Sequence, residues 1–301
     1  MKPVLASFVG LFLAASIAQA APPKLPDGVE AKFDIEYARP DDKPQLLDVY
    51  WPKDAQGKLP VIIDIHGGGW TGGSKRPAYA TRFVKDGYAV VSVEYRFSQV
   101  APFPAQIDDC KAAVRWTRAH AAEFHLDPDH IGAWGDSAGG HLVALLGTSA
   151  DSKELEGEEG NPGISSRVQA VCDCYGPADF LTFQSQQNPD VKVPADDARS
   201  ALSKLLGGPI PQKKELAAQA SPVTYVSKDS APFLILQGDK DPLVPPAQSQ
   251  ELYERLQKSG VEAELFIVKG GGHGFGRRPD LDVKTREFFD KHLKSQNATG
   301  K

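Results

Sequence analysis

An alternation of short apolar runs with longer amphipathic segments is the feature that most constrains how this chain can fold. The apolar runs are rich in β-branched and aromatic residues and are bounded by glycine, proline or polar residues, which is typical of strands. Strands that alternate with helices imply right-handed crossovers and a mostly parallel sheet, so the predicted fold class is α/β. The predicted strands lie at 45–52, 60–69, 88–97, 130–137, 168–176, 232–239 and 261–270.

Helical spacing of apolar residues fills the segments between these strands. The longest such segment is 103–124, and an earlier one, 76–87, is expected to end at Gly87. Further helices are predicted at 138–150, 248–260 and 282–296. One face of the longest helix is predicted to be buried through Ile107, Cys110, Val114 and Thr117.

The composition is that of one globular domain. The chain has 301 residues, of which 41% are hydrophobic, and this is enough for one large core over 21–301. The net charge is −5, from 34 basic and 39 acidic residues, and no basic cluster stands out. We therefore expect no nucleic-acid partner.

The first twenty residues resemble a secretory signal. Lys2 precedes an apolar run, and Ala18-Gln19-Ala20 fits the small-x-small rule for cleavage after Ala20. The alternative is a retained anchor, but the run is shorter than the roughly 20 residues that a membrane span needs. We therefore expect a periplasmic or secreted protein without a stable membrane anchor, whose residues 21–31 form a loose N-terminal segment.

The three cysteines are Cys110, Cys172 and Cys174, so at least one thiol stays free or pairs between chains. Cys172 and Cys174 lie two apart in a predicted strand, so they share one face and a bridge between them would be strained. A bridge from Cys110 to one of them and a set of buried free thiols both remain open. The Cys and His spacing lacks the paired pattern of a zinc site, so no metal is expected.

The segment "WGDSAGGH" places Ser137 on a turn between a predicted strand and a predicted helix. This arrangement is a nucleophile elbow, which pushes the serine hydroxyl out over the end of the sheet. Gly135 and Gly139 are required there because side chains would collide with the neighbouring strand and helix. A serine hydroxyl needs a base that takes its proton before it becomes a good nucleophile.

His273 is the predicted base because it alone among the histidines lies directly after the last predicted strand, in the glycine-rich "KGGGHGFG". The carboxylate that orients it should lie between serine and histidine in chain order. "LILQGDKDPLVP" offers Asp239 and Asp241, and Asp241 is favoured because it lies further along the loop, beside Pro242. Asp136 is rejected because adjacent side chains in an elbow diverge.

An oxyanion hole is predicted from two segments. One donor is the backbone N–H of Ala138, the residue after the serine. The others are expected from "IDIHGGGW", where Gly68 and Gly69 are the predicted donors and Gly67 is held in reserve. Glycines let such a backbone turn its N–H groups towards the negative oxygen of a tetrahedral intermediate.

The stretch 179–221 is long, polar and proline-containing, and it interrupts the regular alternation. A connection of this length is uncommon in a compact domain unless it is functional. We predict a small cap or lid over the carboxyl edge of the sheet, where α/β folds bind ligands. A structural excursion without substrate contact is the alternative.

At these motifs the chain resembles the α/β-hydrolase superfamily and, within it, the group related to hormone-sensitive lipase. "HGGGW", "GDSAGGH", "DKDPLVP" and "GGHGF" look like the signatures of that group, and "SVEYRFS" and "FPAQIDDCKAAVRWTRAHA" are similar to the bifunctional feruloyl and acetyl-xylan esterases. The resemblance covers about residues 33 to 295. It implies an eight-stranded, mostly parallel sheet flanked by helices, ester hydrolysis through an acyl-enzyme, and no cofactor or metal.

The resemblance is only loosely specific for substrate. Trp70, Phe97 and Cys174 are the candidates for lining a substrate pocket, and Phe103 is an equal candidate for the pocket and the core. The expected substrates are small acyl or aryl esters, or carbohydrates that carry feruloyl or acetyl groups. A serine exopeptidase and a lipase on the same fold are the enzymatic alternatives, and a non-catalytic binding protein would lack a triad or oxyanion element.

Overall fold

The computed structural model describes residues 24–276 and 278–294, so the signal predicted over 1–20 lies outside the described residues. Within the described residues the strands are β1 (Val29–Ala38), β2 (Gln45–Pro52), β3 (Leu59–Ile65), β4 (Ala89–Val93), β5 (Leu126–Asp136), β6 (Ala170–Cys174), β7 (Phe233–Gly238) and β8 (Ala263–Val268). The α-helices are α1 (Ala105–Ala119), α2 (Ala138–Thr148), α3 (Phe180–Gln186), α4 (Ala201–Leu205), α5 (Lys214–Gln219), α6 (Pro246–Lys258) and α7 (Pro279–Leu293).

All eight of these strands form one sheet in the order β1-β2-β4-β3-β5-β6-β7-β8. β2 pairs antiparallel with β1 and with β4, and the strands from β4 to β8 in this order pair in parallel. The predicted eight-stranded, mostly parallel sheet is therefore confirmed. In the β3–β5 pairing Ile65 lies opposite Gly135, so the loops that follow these two strands leave the sheet side by side.

The edge strand β1 was missed, because its first residues fall in the segment predicted to be loose. Its sequence, "VEAKFDIEYA", alternates apolar with charged residues, and its apolar residues are only half-buried over most of its length. This is the period-two pattern of an edge strand with one face towards solvent. Because charged residues interrupt its sequence, a search for continuous apolar runs does not find this strand.

Two apolar cores lie on the two faces of the sheet. The larger core holds α1, whose predicted inner face is fully buried, together with α2 and α6. The smaller core packs α7 and a 3₁₀ helix, Tyr79–Asp86, against the opposite face. That 3₁₀ helix corresponds to the helix predicted at 76–87, and it ends at Gly87, whose φ of 86° favours glycine.

The cysteines are free, and the predicted possibility of a bridge from Cys110 is wrong. Cys110 lies in the larger core, whereas Cys172 and Cys174 lie in the smaller one, so the sheet separates Cys110 from both. All three side chains are buried. The prediction that Cys172 and Cys174 share a face agrees with their position in one core.

The interrupting stretch 179–221 contains α3, α4 and α5 and connects β6 to β7. Asp179 caps the start of α3 by accepting the N–H of Leu181, and Ser200 caps α4 by accepting the N–H of Ser203. No helix in the described part of the chain is long and apolar enough to cross a lipid bilayer.

Candidate active site

Ser137 lies between the end of β5 and the start of α2, with φ of 53° and ψ of −117°. Such a positive φ is rare for a side-chain-bearing residue and costs free energy that the surrounding packing must supply. A Cβ on Gly139 would lie 1.9 Å from the carbonyl oxygen of Ile65, and one on Gly135 would lie 2.5 Å from that of Gly139. Both glycines are thus sterically required, as the elbow pattern predicted.

Ser137, His273 and Asp241 form a hydrogen-bonded row. The Oγ hydroxyl of Ser137 lies 2.9 Å from His273 Nε2, and His273 Nδ1–H donates to Asp241 Oδ2 over 2.8 Å. The structure therefore brings together the three residues that the sequence selected. The imidazole is suited to accept the proton of the serine because its other nitrogen is bonded to a carboxylate.

Both carboxylate oxygens of Asp241 accept hydrogen bonds. Its Oδ1 accepts the backbone N–H groups of Leu243 and Val244 at 2.8 and 3.0 Å. Its Oδ2 also accepts from Gln237 Nε2 at 3.2 Å. The rejected alternative, Asp239, accepts the N–H of Gly270 at 2.6 Å instead, so it closes a turn and does not contact the imidazole.

The glycine loop after β3 presents its backbone to the elbow. Gly68 and Gly69 have φ of 116° and 60°. Among the described residues, no acceptor lies in hydrogen-bonding position for the N–H groups of Gly68, Gly69 and Ala138. The N–H of Gly67 donates to Asp136 Oδ1 at 3.1 Å, so this reserve donor is already occupied.

Asp136 therefore fastens the glycine loop to the elbow and does not serve the triad. Burial raises the pKa of its carboxyl, and the hydrogen bond from Gly67 opposes that rise. His66, at the start of the same loop, donates from Nδ1 to the carbonyl of Gly67 at 2.7 Å and stacks on Tyr95. Burial lowers the pKa of His66, which favours its neutral form.

The prediction that Trp70 lines a substrate pocket needs correction. Its indole is 2% exposed and packs edge-on against His141 and at a tilt against Phe180, so it offers little surface to a ligand. Trp70 Nε1–H donates to His141 Nδ1 at 3.2 Å, and His141 Nε2–H donates to the carbonyl of Ala220 at 2.6 Å. His141 thereby connects the glycine loop to the end of the interrupting stretch.

Replacing His141 with phenylalanine is expected to lower the free energy of unfolding by about 2–4 kcal/mol, because two buried polar groups lose their partner. His141→Gln should lose much less, since an amide can both accept from Trp70 and donate to Ala220. Chemical denaturation of the two variants at pH 7.5 measures the difference. Equal losses in both would contradict the role given to the two hydrogen bonds.

The same residue predicts a pH dependence of stability. Burial lowers the pKa of His141 to about 4, whereas the pKa of a histidine in the unfolded chain lies near its ordinary value of 6.5. The unfolded chain therefore binds a proton that the folded chain excludes, and stability falls as the pH drops from about 6.5 towards 4. His141→Gln should flatten this part of a pH series of denaturation curves, and an unchanged slope would contradict the assignment.

The remaining pocket candidates lie in different environments. Phe97 is partly buried against Tyr95 and His66, and its role as a pocket residue stays a prediction. Phe103 is 3% exposed within the larger core, which favours the packing alternative. Cys174 is buried on the face of the sheet that carries the smaller core, where it lines a cavity beside the elbow.

Tyr175 was missed by the sequence reasoning. Its ring packs edge-on against His273, with 4.8 Å between ring centroids. The available signal was its position directly after β6, between the strands that precede Ser137 and Asp241 in the sheet. In the described part of the chain, no cluster of three or more His, Cys, Asp or Glu side chains could hold a metal ion.

An eight-stranded sheet with a serine elbow after β5 and an adjoining histidine loop after β8 defines the α/β-hydrolase class. The profile of the BD-FAE family, a family of α/β-hydrolase esterases, matches residues 47–256. The chain therefore belongs to the BD-FAE family.

Individual relatives agree with this assignment. "Esterase LipQ" of Mycobacterium tuberculosis is 36% identical over 248 residues, which are 80% of this chain and 56% of that protein. The chain thus spans little more than half the length of this curated relative.

Two solved structures are similar over most of both chains. A truncated carbohydrate esterase from gut microbiota superposes with a TM-score of 0.80 at 31% identity, over 88% of this chain and 97% of that one. An acetyl ester-xyloside bifunctional hydrolase from Caldicellulosiruptor lactoaceticus gives 0.66 at 27% identity, over 82% and 85%.

Proposed function

We propose that this protein is a carboxylesterase in which Ser137 is the nucleophile, His273 the general base and acid, and Asp241 its orienting partner. The observation that carries the proposal is the row of hydrogen bonds of 2.9 and 2.8 Å through the imidazole. The esterase names of the relatives support the same activity.

Acylation would begin when Ser137 Oγ attacks the carbonyl carbon of the ester while its proton moves to His273 Nε2. The imidazolium is stabilised by Asp241, to which Nδ1–H stays bonded. The oxyanion of the tetrahedral intermediate would accept hydrogen bonds from the backbone N–H groups of Gly68, Gly69 and Ala138. Collapse of this intermediate breaks the bond to the alkoxy oxygen, which takes the proton from Nε2 and leaves as the alcohol.

Deacylation repeats these proton transfers with water. His273 Nε2 accepts a proton from a water molecule as the oxygen of that water attacks the acyl carbon of the Ser137 ester. When the second tetrahedral intermediate collapses, the proton passes from Nε2 to Ser137 Oγ and the carboxylic acid is released. The cycle consumes one water and returns the triad to its starting protonation state.

The proposed substrates are small acyl or aryl esters, or carbohydrates decorated with feruloyl or acetyl groups. Two similar structures carry names that refer to carbohydrate esters, which supports this class. Export to the periplasm or medium, proposed from the signal at 1–20, would give the enzyme access to polymers outside the cell. An N-terminus beginning at Ala21 in protein recovered from that compartment would support export, and a retained Met1 would contradict cleavage.

Hydrolysis of p-nitrophenyl acetate, methyl ferulate and acetylated xylan by the purified protein tests the proposal, with a peptide p-nitroanilide beside them. We expect ester hydrolysis that stops when a fluorophosphonate labels Ser137, as located by peptide mass spectrometry. Cleavage of the anilide alone would favour a peptidase. A folded protein that cleaves none of the substrates and takes up no label would contradict the proposal.

The oxyanion loop gives a further prediction. Gly68→Ala is expected to lower kcat/KM for p-nitrophenyl acetate by about a hundredfold, the usual loss when one oxyanion donor is displaced. The new Cβ would lie 2.1 Å from the carbonyl oxygen of Gly72, at a φ of 116° that L-residues rarely adopt. In Gly69→Ala the nearest atom is 3.4 Å away and φ is 60°, so the loss should be smaller. Equal losses in the two folded variants would contradict this account of the loop.

A further inference from the structure

A cavity of about 790 Å³ lies behind the triad, on the side of the sheet that carries the smaller core. Its volume falls in the range of roughly 300–1,000 Å³ that small-molecule sites occupy. The 3₁₀ helix Tyr79–Asp86, the loop after His273 and the start of α7 form its walls. Its lining includes Trp134, Cys174, Leu236, Phe275, Tyr79 and Arg82.

The cavity comes within one side chain of the triad. Asp136 and Gly274, the chain neighbours of Ser137 and His273, contribute to its lining, while Ser137 and His273 do not. Tyr175 lines the cavity and also contacts the imidazole, with 4.8 Å between the two ring centroids. Its ring therefore stands between the cavity and the reacting groups.

Tyr175 is held firmly in this position. Its backbone N–H donates to the carbonyl of Leu236 at 2.8 Å, and its φ of 48° lies in the left-handed region. On the cavity side the ring packs edge-on against Phe275, with centroids 5.0 Å apart, and the residue is only 9% exposed. A group that entered the cavity past the imidazole would have to displace this ring.

On the opposite side of the elbow, the glycine loop meets the interrupting stretch. A Cβ on Gly69 would lie 3.4 Å from that of Ala201, at the start of α4. The Trp70 ring packs on Phe180, the first residue of α3, with 5.8 Å between centroids. The interrupting stretch thus packs against the glycine loop.

We propose that Tyr175 is a specificity-determining residue that separates the triad from the cavity and so restricts the enzyme to esters with a small group on that side, which among the substrates proposed above favours acetyl over feruloyl esters. This inference rests on the proposed esterase function. Removing the Tyr175 ring would join the cavity to the space beside the triad. The enlarged site would accept a flat aromatic group, since aromatic and aliphatic side chains form much of the lining.

The test measures kcat/KM for bulky esters relative to p-nitrophenyl acetate. The bulky substrates are p-nitrophenyl 3-(4-methoxyphenyl)propionate, enlarged on the acyl side, and 6-methoxy-2-naphthyl acetate, enlarged on the alcohol side. Tyr175→Ala should raise this ratio about tenfold or more for at least one of them, a gain on the scale of one buried methylene group. Tyr175→Leu should give a smaller rise and serves if the alanine variant does not fold.

Two control variants distinguish the effect of losing the Tyr175 ring from the general effects of a substitution near the cavity. Tyr175→Phe keeps the ring and should keep the wild-type ratio. Tyr79→Ala makes the same substitution at the cavity wall, where Tyr79 is 54% exposed. This variant should also keep the wild-type ratio because the Tyr175 ring beside His273 remains.

Three outcomes would overturn the proposal. An unchanged ratio in folded Tyr175→Ala and Tyr175→Leu would do so, as would a wild-type enzyme that prefers the bulky esters to acetate. In both cases the proposed esterase function would stand. A wild-type protein inactive on every ester would overturn the function and the inference together.

Discussion

Ser137→Ala is expected to lower kcat for p-nitrophenyl acetate by about five orders of magnitude, since loss of a triad serine leaves only the contribution of the oxyanion hole and binding. The substitution removes the oxygen that would form the acyl-enzyme and leaves the His273–Asp241 hydrogen bond intact. Steady-state hydrolysis and the melting temperature should be measured together. The melting temperature should change little or rise, because the strained elbow remains while no catalytic oxygen is needed for folding.

Ser185→Ala is the matched control for this experiment. Ser185 lies in α3, is exposed, and donates only to the carbonyl of Thr182, so its loss should leave hydrolysis unchanged. The assignment of the nucleophile fails if folded Ser137→Ala keeps more than about a hundredth of the wild-type kcat. Contamination or the oxyanion hole alone would not supply that much remaining activity.

Asp241→Asn is expected to lower kcat by about 10⁴-fold, the loss measured for this substitution in a serine protease triad. An amide can present its N–H to His273 Nδ1 and so favour the tautomer that carries the proton on Nε2, where it cannot accept from Ser137. The loop itself should persist, because an amide oxygen can still accept the backbone N–H groups of Leu243 and Val244.

Asp239→Asn provides the comparison, since the same chemical change is made two residues earlier in the same loop. Asp239 accepts only the N–H of Gly270 in the described structure, and we expect a modest loss of stability with kcat within about threefold of wild type. The two variants should be compared over a pH series. A larger loss of kcat in Asp239→Asn would reverse the assignment of the carboxylate.

The geometry of the elbow could be predicted from sequence because it depends on local sterics. Gly135 and Gly139 flank Ser137 where a Cβ would strike backbone atoms, so the pattern itself encodes the turn. Chain order and a position directly after a predicted strand then selected His273 and the pair Asp239 and Asp241, because parallel strands deliver their following loops to one edge. The position of Asp241 further along its loop favoured it over Asp239.

The surroundings of the site were less predictable because they depend on which side chains meet in three dimensions. The motif that contains Trp70 does not reveal that its ring is turned inwards onto His141. Tyr175 belongs to no motif, and its contact with His273 requires two loops from different strands to converge. The role of Asp136 as the acceptor for Gly67 depends likewise on a contact between residues 69 positions apart.

The distribution of the cysteines has a consequence for how the protein can be made. Because the sheet lies between Cys110 and the other two thiols, no rearrangement short of unfolding could join them, and the native state owes no stability to an oxidant. The chain should therefore reach the same fold in a reducing cytosol as in an oxidising compartment.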